Sequence, residues 1–119
     1  MTTNEIINLD YREKKNQEII QKALRKIKPL SKYSEEYVPY SALEKVINIM
    51  SKKYNVRIRE ITQDIWANES NTIWKATIIN DDIMKTNEVY GLSLYEILAK
   101  SAVKIYAETK KIRGKANWR

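Results

Sequence analysis

Three stretches decide the fold: Val56-Arg-Ile-Arg-Glu-Ile-Thr-Gln-Asp-Ile-Trp66, Thr72-Ile-Trp-Lys-Ala-Thr-Ile-Ile79 and Ile83-Met-Lys-Thr-Asn-Glu-Val-Tyr90. Each is rich in β-branched and aromatic residues, the types that fit a pleated, half-buried surface. The connections, Ala67-Asn-Glu-Ser-Asn71 and Asn80-Asp-Asp82, are turn-forming, so the three read as strands of an antiparallel meander. In the first stretch the alternation slips: Val56 and Ile58 share one face, whereas Ile61 and Ile65 fall on the other. A β-bulge near Glu60 reunites them.

Helical patterns flank the strands. Upstream, Ser41-Ala-Leu-Glu44 has the spacing of a capping box, and Leu43, Val46, Ile47, Met50 and Tyr54 form an apolar stripe. That helix is expected to run to about Lys53 and to close at Asn55. Downstream, Gly91 ends the sheet and Ser93-Leu-Tyr-Glu96 is a second capping box, opening a long helix from Leu94 to about Arg113. Leu94, Leu98, Ala102, Ile105 and Tyr106 are its expected buried face; Lys100, Lys104 and Lys111 cluster in an arc opposite, and Gly114 is the expected stop. Nearer the N-terminus, Ile19, Ile20, Ala23, Leu24 and Ile27 recur at helical spacing between Tyr11 and Lys28, where Pro29 halts the helix.

The expected architecture is therefore α+β: an N-terminal helix followed by α-β-β-β-α, with a three-stranded antiparallel sheet packed by helices. Residues 1–28 read as an arm and helix, 29–39 as a linker that could leave the helix detachable, 40–113 as the domain, and 114–119 as a basic tail. The uncovered sheet face and the linker both leave room for a homodimer.

Composition narrows the chemistry. The 119 residues suit one domain, with 43% hydrophobic and 31% charged residues. No apolar run approaches the ~20 residues of a membrane span, and the first residues lack an export signal, so a cytoplasmic location, that of a host cell if phage-encoded, is expected. Cysteine and histidine are both absent. That excludes Cys/His zinc sites, Cys-His and Ser-His-Asp catalysis, and proton shuttling by imidazole. Asp64, Glu69, Asp81, Asp82 and Glu88 lie near strands, with Lys75 among them, but no Asp…Glu-x-Lys nuclease spacing occurs. Asp81-Asp82 is ordinary turn chemistry. The expectation is a protein that is no enzyme and needs no cofactor or metal.

The α-β-β-β-α order resembles that of double-stranded-RNA-binding domains. Where that family carries a lysine cluster this chain has Ser93-Leu94-Tyr95-Glu96, and Ala67–Asn71 stands in place of its Gly-Pro-x-His loop; the likeness is one of topology. Trp74-Lys75-Ala76, Gly91-Leu92-Ser93 and Ala99-Lys-Ser-Ala102 also resemble motifs of small phage-encoded "ABA sandwich" proteins, over about residues 42–106. That resemblance implies a phage or mobile-element origin and supplies no catalytic residues.

Net charge is +7, and its distribution points to a partner. Residues 100–119 hold seven basic residues against Glu108, a net of +6; residues 10–28 carry +4, and residues 29–99 carry −2. Lys100, Lys104, Lys110, Lys111, Arg113, Lys115 and Arg119 are thus candidate phosphate contacts, with Trp66, Trp74 and Trp118 as candidate stacking residues. The same lysines also fit simple complementation of a helix C-terminus and a solvated tail, and strand tryptophans fit a core. The leading expectation is a phage or mobile-element accessory protein that binds nucleic acid through its basic C-terminal helix and tail. The alternative is a protein-binding module that inhibits or modulates a host enzyme or defence complex.

Overall fold

The computed structural model describes residues 1–34, 36–65 and 72–115. Strands β1 (Val56–Ile65), β2 (Thr72–Asn80) and β3 (Lys85–Gly91) form an antiparallel sheet in the order β1-β2-β3. The register of β1 against β2 shifts between Ile58 and Glu60, so Ile58 faces Ile78 and Ile61 faces Ala76. This is the bulge that the broken alternation demands. β3 begins two residues later than its apolar pattern suggests. The Asp81 amide donates to the Asn55 carbonyl (2.9 Å) and the Asp82 amide to Asn80 Oδ1 (3.1 Å), which prolongs the turn. Ile83 and Met84 therefore stand exposed at its tip, Met84 in the left-handed region at φ 54°.

Helices α3 (Tyr40–Tyr54) and α4 (Leu94–Lys115) cover one face of the sheet. The N-cap of α3 is Pro39, two residues earlier than expected, so Ser41 lies in the first turn and forms no cap; Asn55, at φ 58°, closes the helix. At the start of α4 the Ser93 hydroxyl accepts from the Glu96 amide (3.0 Å), and the Glu96 carboxylate reaches back to the Leu92 amide (3.0 Å). A Cβ on Gly91 would stand 2.8 Å from Cδ of Glu96, so the close packing there requires glycine. The expected stop at Gly114 is overrun: α4 continues to Lys115.

The N-terminal segment is not loose. Thr2 and Glu5 form a capping box on a short helix, α1 (Thr3–Ile7), and Ile7 is buried. α2 (Lys14–Arg25) follows, then a 3-10 turn (Lys28–Leu30) that accommodates Pro29. Both α1 and α2 pack against α4 rather than the sheet. The order of layers is therefore sheet, then α3 with α4, then α1 with α2. Every residue from Glu96 to Ile105 is buried as a result. The outer sheet face is left polar, with Lys75 paired to Glu88 (3.2 Å) and Arg57 to Asp81 (2.9 Å).

The expected linker belongs to the core. Ile20, Leu24, Leu30 and Val38 are each at most 1% exposed. Burying four such side chains is worth roughly 6–12 kcal/mol, comparable with the entire net stability of a domain. Detachment of the helix is thus no minor local opening. Gln21, wholly buried, adds polar closure. Its amide donates to the hydroxyls of Tyr11 (3.2 Å) and Tyr95 (2.8 Å), and its oxygen accepts from the Val38 amide (2.8 Å). The Tyr95 hydroxyl donates to the Val38 carbonyl (2.6 Å), so both backbone groups of Val38 are satisfied.

Two predictions follow from this packing. Burial pushes the Tyr11 hydroxyl up to about 12 and moves Tyr95 in the same direction. The folded state thus favours the neutral phenols, a contribution complete below pH 10 and lost as pH rises from 10 toward 12. The urea midpoint should fall over that window, less steeply in Tyr11→Phe. Lys100, 3% exposed, donates to Glu96 (2.6 Å) and to the Leu9 carbonyl (2.7 Å). Lys100→Met leaves Glu96 buried and uncompensated, at a cost of about 3–5 kcal/mol. Adding Glu96→Gln, which retains an acceptor for the Leu92 amide, should restore part of the loss in urea unfolding.

Candidate nucleic-acid interface

Lys45, Ile49 and Lys53 recur at four-residue steps, which places them along one face of α3, with Lys45 and Lys53 about 12 Å apart along the axis. The 3-10 turn lies beside that face, anchored by buried Leu30, and leaves Lys28 and Lys32 exposed. The third wall comes from Tyr106 and Thr109 of α4. Together these elements enclose two adjoining hollows. The one bounded by Lys32, Tyr33, Ser41 and Lys45 measures about 370 Å³. The other, bounded by Lys28, Lys53, Tyr54, Tyr106 and Thr109, measures about 270 Å³. Pro29, Val46 and Ile49 line both, making one continuous groove.

Its chemistry is uniform. Four lysines line the groove, and no carboxylate does among the described residues. Three ammonium groups lie over tyrosine rings: Lys32 over Tyr33 (5.4 Å to the centroid), Lys53 over Tyr54 (5.4 Å) and Lys110 over Tyr106 (5.5 Å). These are within cation–π range. Ile49 is 51% exposed, an apolar side chain on the floor. A hollow of about 530 Å³ on the other flank of α3 has Glu44, Glu60 and Arg57 in its lining and so lacks a single sign of charge.

The residues expected from sequence do not share one surface. Lys100 and Lys104 are 3% and 6% exposed, which corrects their placement on a solvent-facing stripe. α1 and α2 cover that side of α4, and the two lysines are neutralised by Glu96 (2.6 Å) and Glu108 (3.2 Å). Trp74 is half-buried on the helix-facing side of β2 and packs against the core, away from the groove lining. Lys110 is exposed at the groove. Lys111, Arg113 and Lys115 belong to the last turns of α4, while Trp66, Trp118 and Arg119 lie outside the described residues.

Lys28, Lys32, Lys45, Lys53, Tyr33 and Tyr54 are the groove residues that sequence reasoning missed. A signal was present: a Lys-Ile-Lys ridge at helical spacing, and two Lys-Tyr neighbours, Lys32-Tyr33 and Lys53-Tyr54. Among the described residues no group of three Asp or Glu could hold a metal ion, and no helix is long and apolar enough to cross a membrane. No protein-family model, curated protein or solved structure matches this chain.

Brief acylation of the folded protein, followed by peptide mass mapping, should test these placements. Lys28, Lys32, Lys53 and Lys110 are expected to react readily, and Lys100 and Lys104 only after unfolding. Equal labelling of Lys100 and Lys53 would mean that α1 and α2 do not cover α4.

Proposed function

We propose that this protein is a non-enzymatic nucleic-acid-binding protein, and that the lysine-lined groove between the 3-10 turn, α3 and α4 is its contact surface. The observation that carries the reading is the conjunction of four lysines, three lysine-topped tyrosine rings and no lining carboxylate. Ammonium groups so placed neutralise phosphates and release condensed counterions. The tyrosine rings give bases a face to stack on, the combination used by sequence-tolerant binders. The basic residues after Lys110, namely Lys111, Arg113, Lys115 and Arg119, add the same sign of charge to the C-terminal part of the sequence. The lack of His and Cys supports binding over catalysis.

Salt dependence tests the reading. If the four lining lysines each neutralise one phosphate, log K should fall against log salt with a slope near −3, or roughly 50-fold in affinity between about 50 and 200 mM. In the double variant Lys45→Gln/Lys53→Gln the slope should shrink by about 1.4. Fluorescence anisotropy with labelled oligonucleotides reads both. No binding at the lower salt, or a slope indifferent to the double substitution, would remove the proposal.

A further inference from the structure

Resting on the nucleic-acid reading, we infer that the groove selects single strands, with an unstacked base lodged in its smaller hollow against Tyr54 and Tyr106. The mixed chemistry of that hollow points there. Lys28 and Lys53 line the smaller hollow together with Ile27, Met50 and the two tyrosines. Such a lining offers its two ammonium groups to phosphate and its apolar and aromatic side chains to the π-face of a base, so a nucleotide with its base unstacked matches both.

A duplex cannot use this arrangement. Its bases are stacked inside and its outer surface presents phosphates, so it would meet the lysines and leave the tyrosine faces of the hollow without a base. A single strand engages both at once. Lys53 over Tyr54 and Lys110 over Tyr106 each set an ammonium beside a ring, the pairing that one nucleotide presents as phosphate and base. At about 270 Å³ the hollow is slightly smaller than an ordinary small-ligand pocket, roughly 300 Å³ and upward.

The walls are set before binding. Tyr54 belongs to α3 and Tyr106 to α4, two helices packed directly on one another, so little ordering cost remains for the ligand to meet. Thr109, the lining hydroxyl beside Tyr106, already donates to the Tyr106 carbonyl (2.7 Å). Recognition therefore rests on stacking and shape, which every base supplies, and sequence preference is weak.

The test compares three labelled probes of equal length, about 20 nucleotides: oligothymidylate, an abasic strand of the same charge, and a duplex. Oligothymidylate should bind about tenfold tighter than the abasic strand, and tighter than the duplex. Tyr106→Leu should erase most of the margin over the abasic strand at an unchanged salt slope, while Tyr106→Phe keeps it; a urea midpoint confirms that each variant folds. On the unsubstituted protein, an oligonucleotide bearing iodouracil should crosslink under ultraviolet light at Tyr54 or Tyr106. Equal affinity for the thymidylate and abasic strands, tighter binding of the duplex, or crosslinks confined to residues outside the groove would overturn the base pocket and leave the phosphate-contact reading standing. Failure of all three probes to bind would overturn both, and leave an acidic protein segment as the occupant.

Discussion

Burial of α4 on two sides is the constraint on which the rest of the structure depends. The sheet takes one side and α1 with α2 take the other, so the helix has no wide polar face through its middle. Yet it carries Glu96, Lys100, Lys104 and Glu108 at successive four-residue steps, along one slowly drifting stripe. Charges in such a place must be neutralised locally, because desolvation of an unpaired ion costs several kcal/mol. The stripe does this within itself: Glu96 pairs with Lys100 and Lys104 with Glu108. Its net charge is zero.

That pairing decides where the protein's positive field can act. Two lysines that weigh in the charge of the C-terminal end are sequestered, whereas Lys28, Lys32, Lys45 and Lys53 stand in water with no carboxylate beside them in the groove lining. Charge counted along the chain and charge presented to a ligand are different quantities. Residues 29–99 sum to −2 in sequence, yet that same segment supplies Lys32, Lys45 and Lys53 to the groove. Part of its acidic charge, that of Asp81 and Glu88, goes into ion pairs with Arg57 and Lys75.

The strand order, the bulge, the two domain helices and the α+β class were legible because they rest on local period and turn chemistry. Ile58 and Ile61 on one face could be inferred from the spacing of β1 alone. The errors arose where tertiary context overrides local pattern. Lys100 and Lys104 read as exposed because a helix packed on one face only presents its lysines to water on the other, and nothing local signals a second layer. Pro29 and the polar Ser31–Glu36 run read as a linker, although Leu30 and Val38 at its ends are buried and Gln21 ties Val38 in place. The groove was illegible as a unit because its three walls come from segments up to about 80 residues apart in the chain. Only its pieces, the α3 ridge and the Lys-Tyr neighbours, leave a trace in sequence.

Helix α2 also shapes the groove, although none of its residues lines it. Arg25 of α2 donates to the Tyr33 carbonyl (2.6 Å) and the Glu36 carbonyl (3.3 Å), and so positions the loop that carries Lys32 and Tyr33. Leu30, buried beneath the same loop, holds the 3-10 turn beside α3. Backbone fixed in this way leaves the lysines of that wall with side-chain freedom only, which lowers the entropy lost when they meet an anion. The packing of α2 on α4 and the presentation of Lys28 and Lys32 are therefore one structural fact.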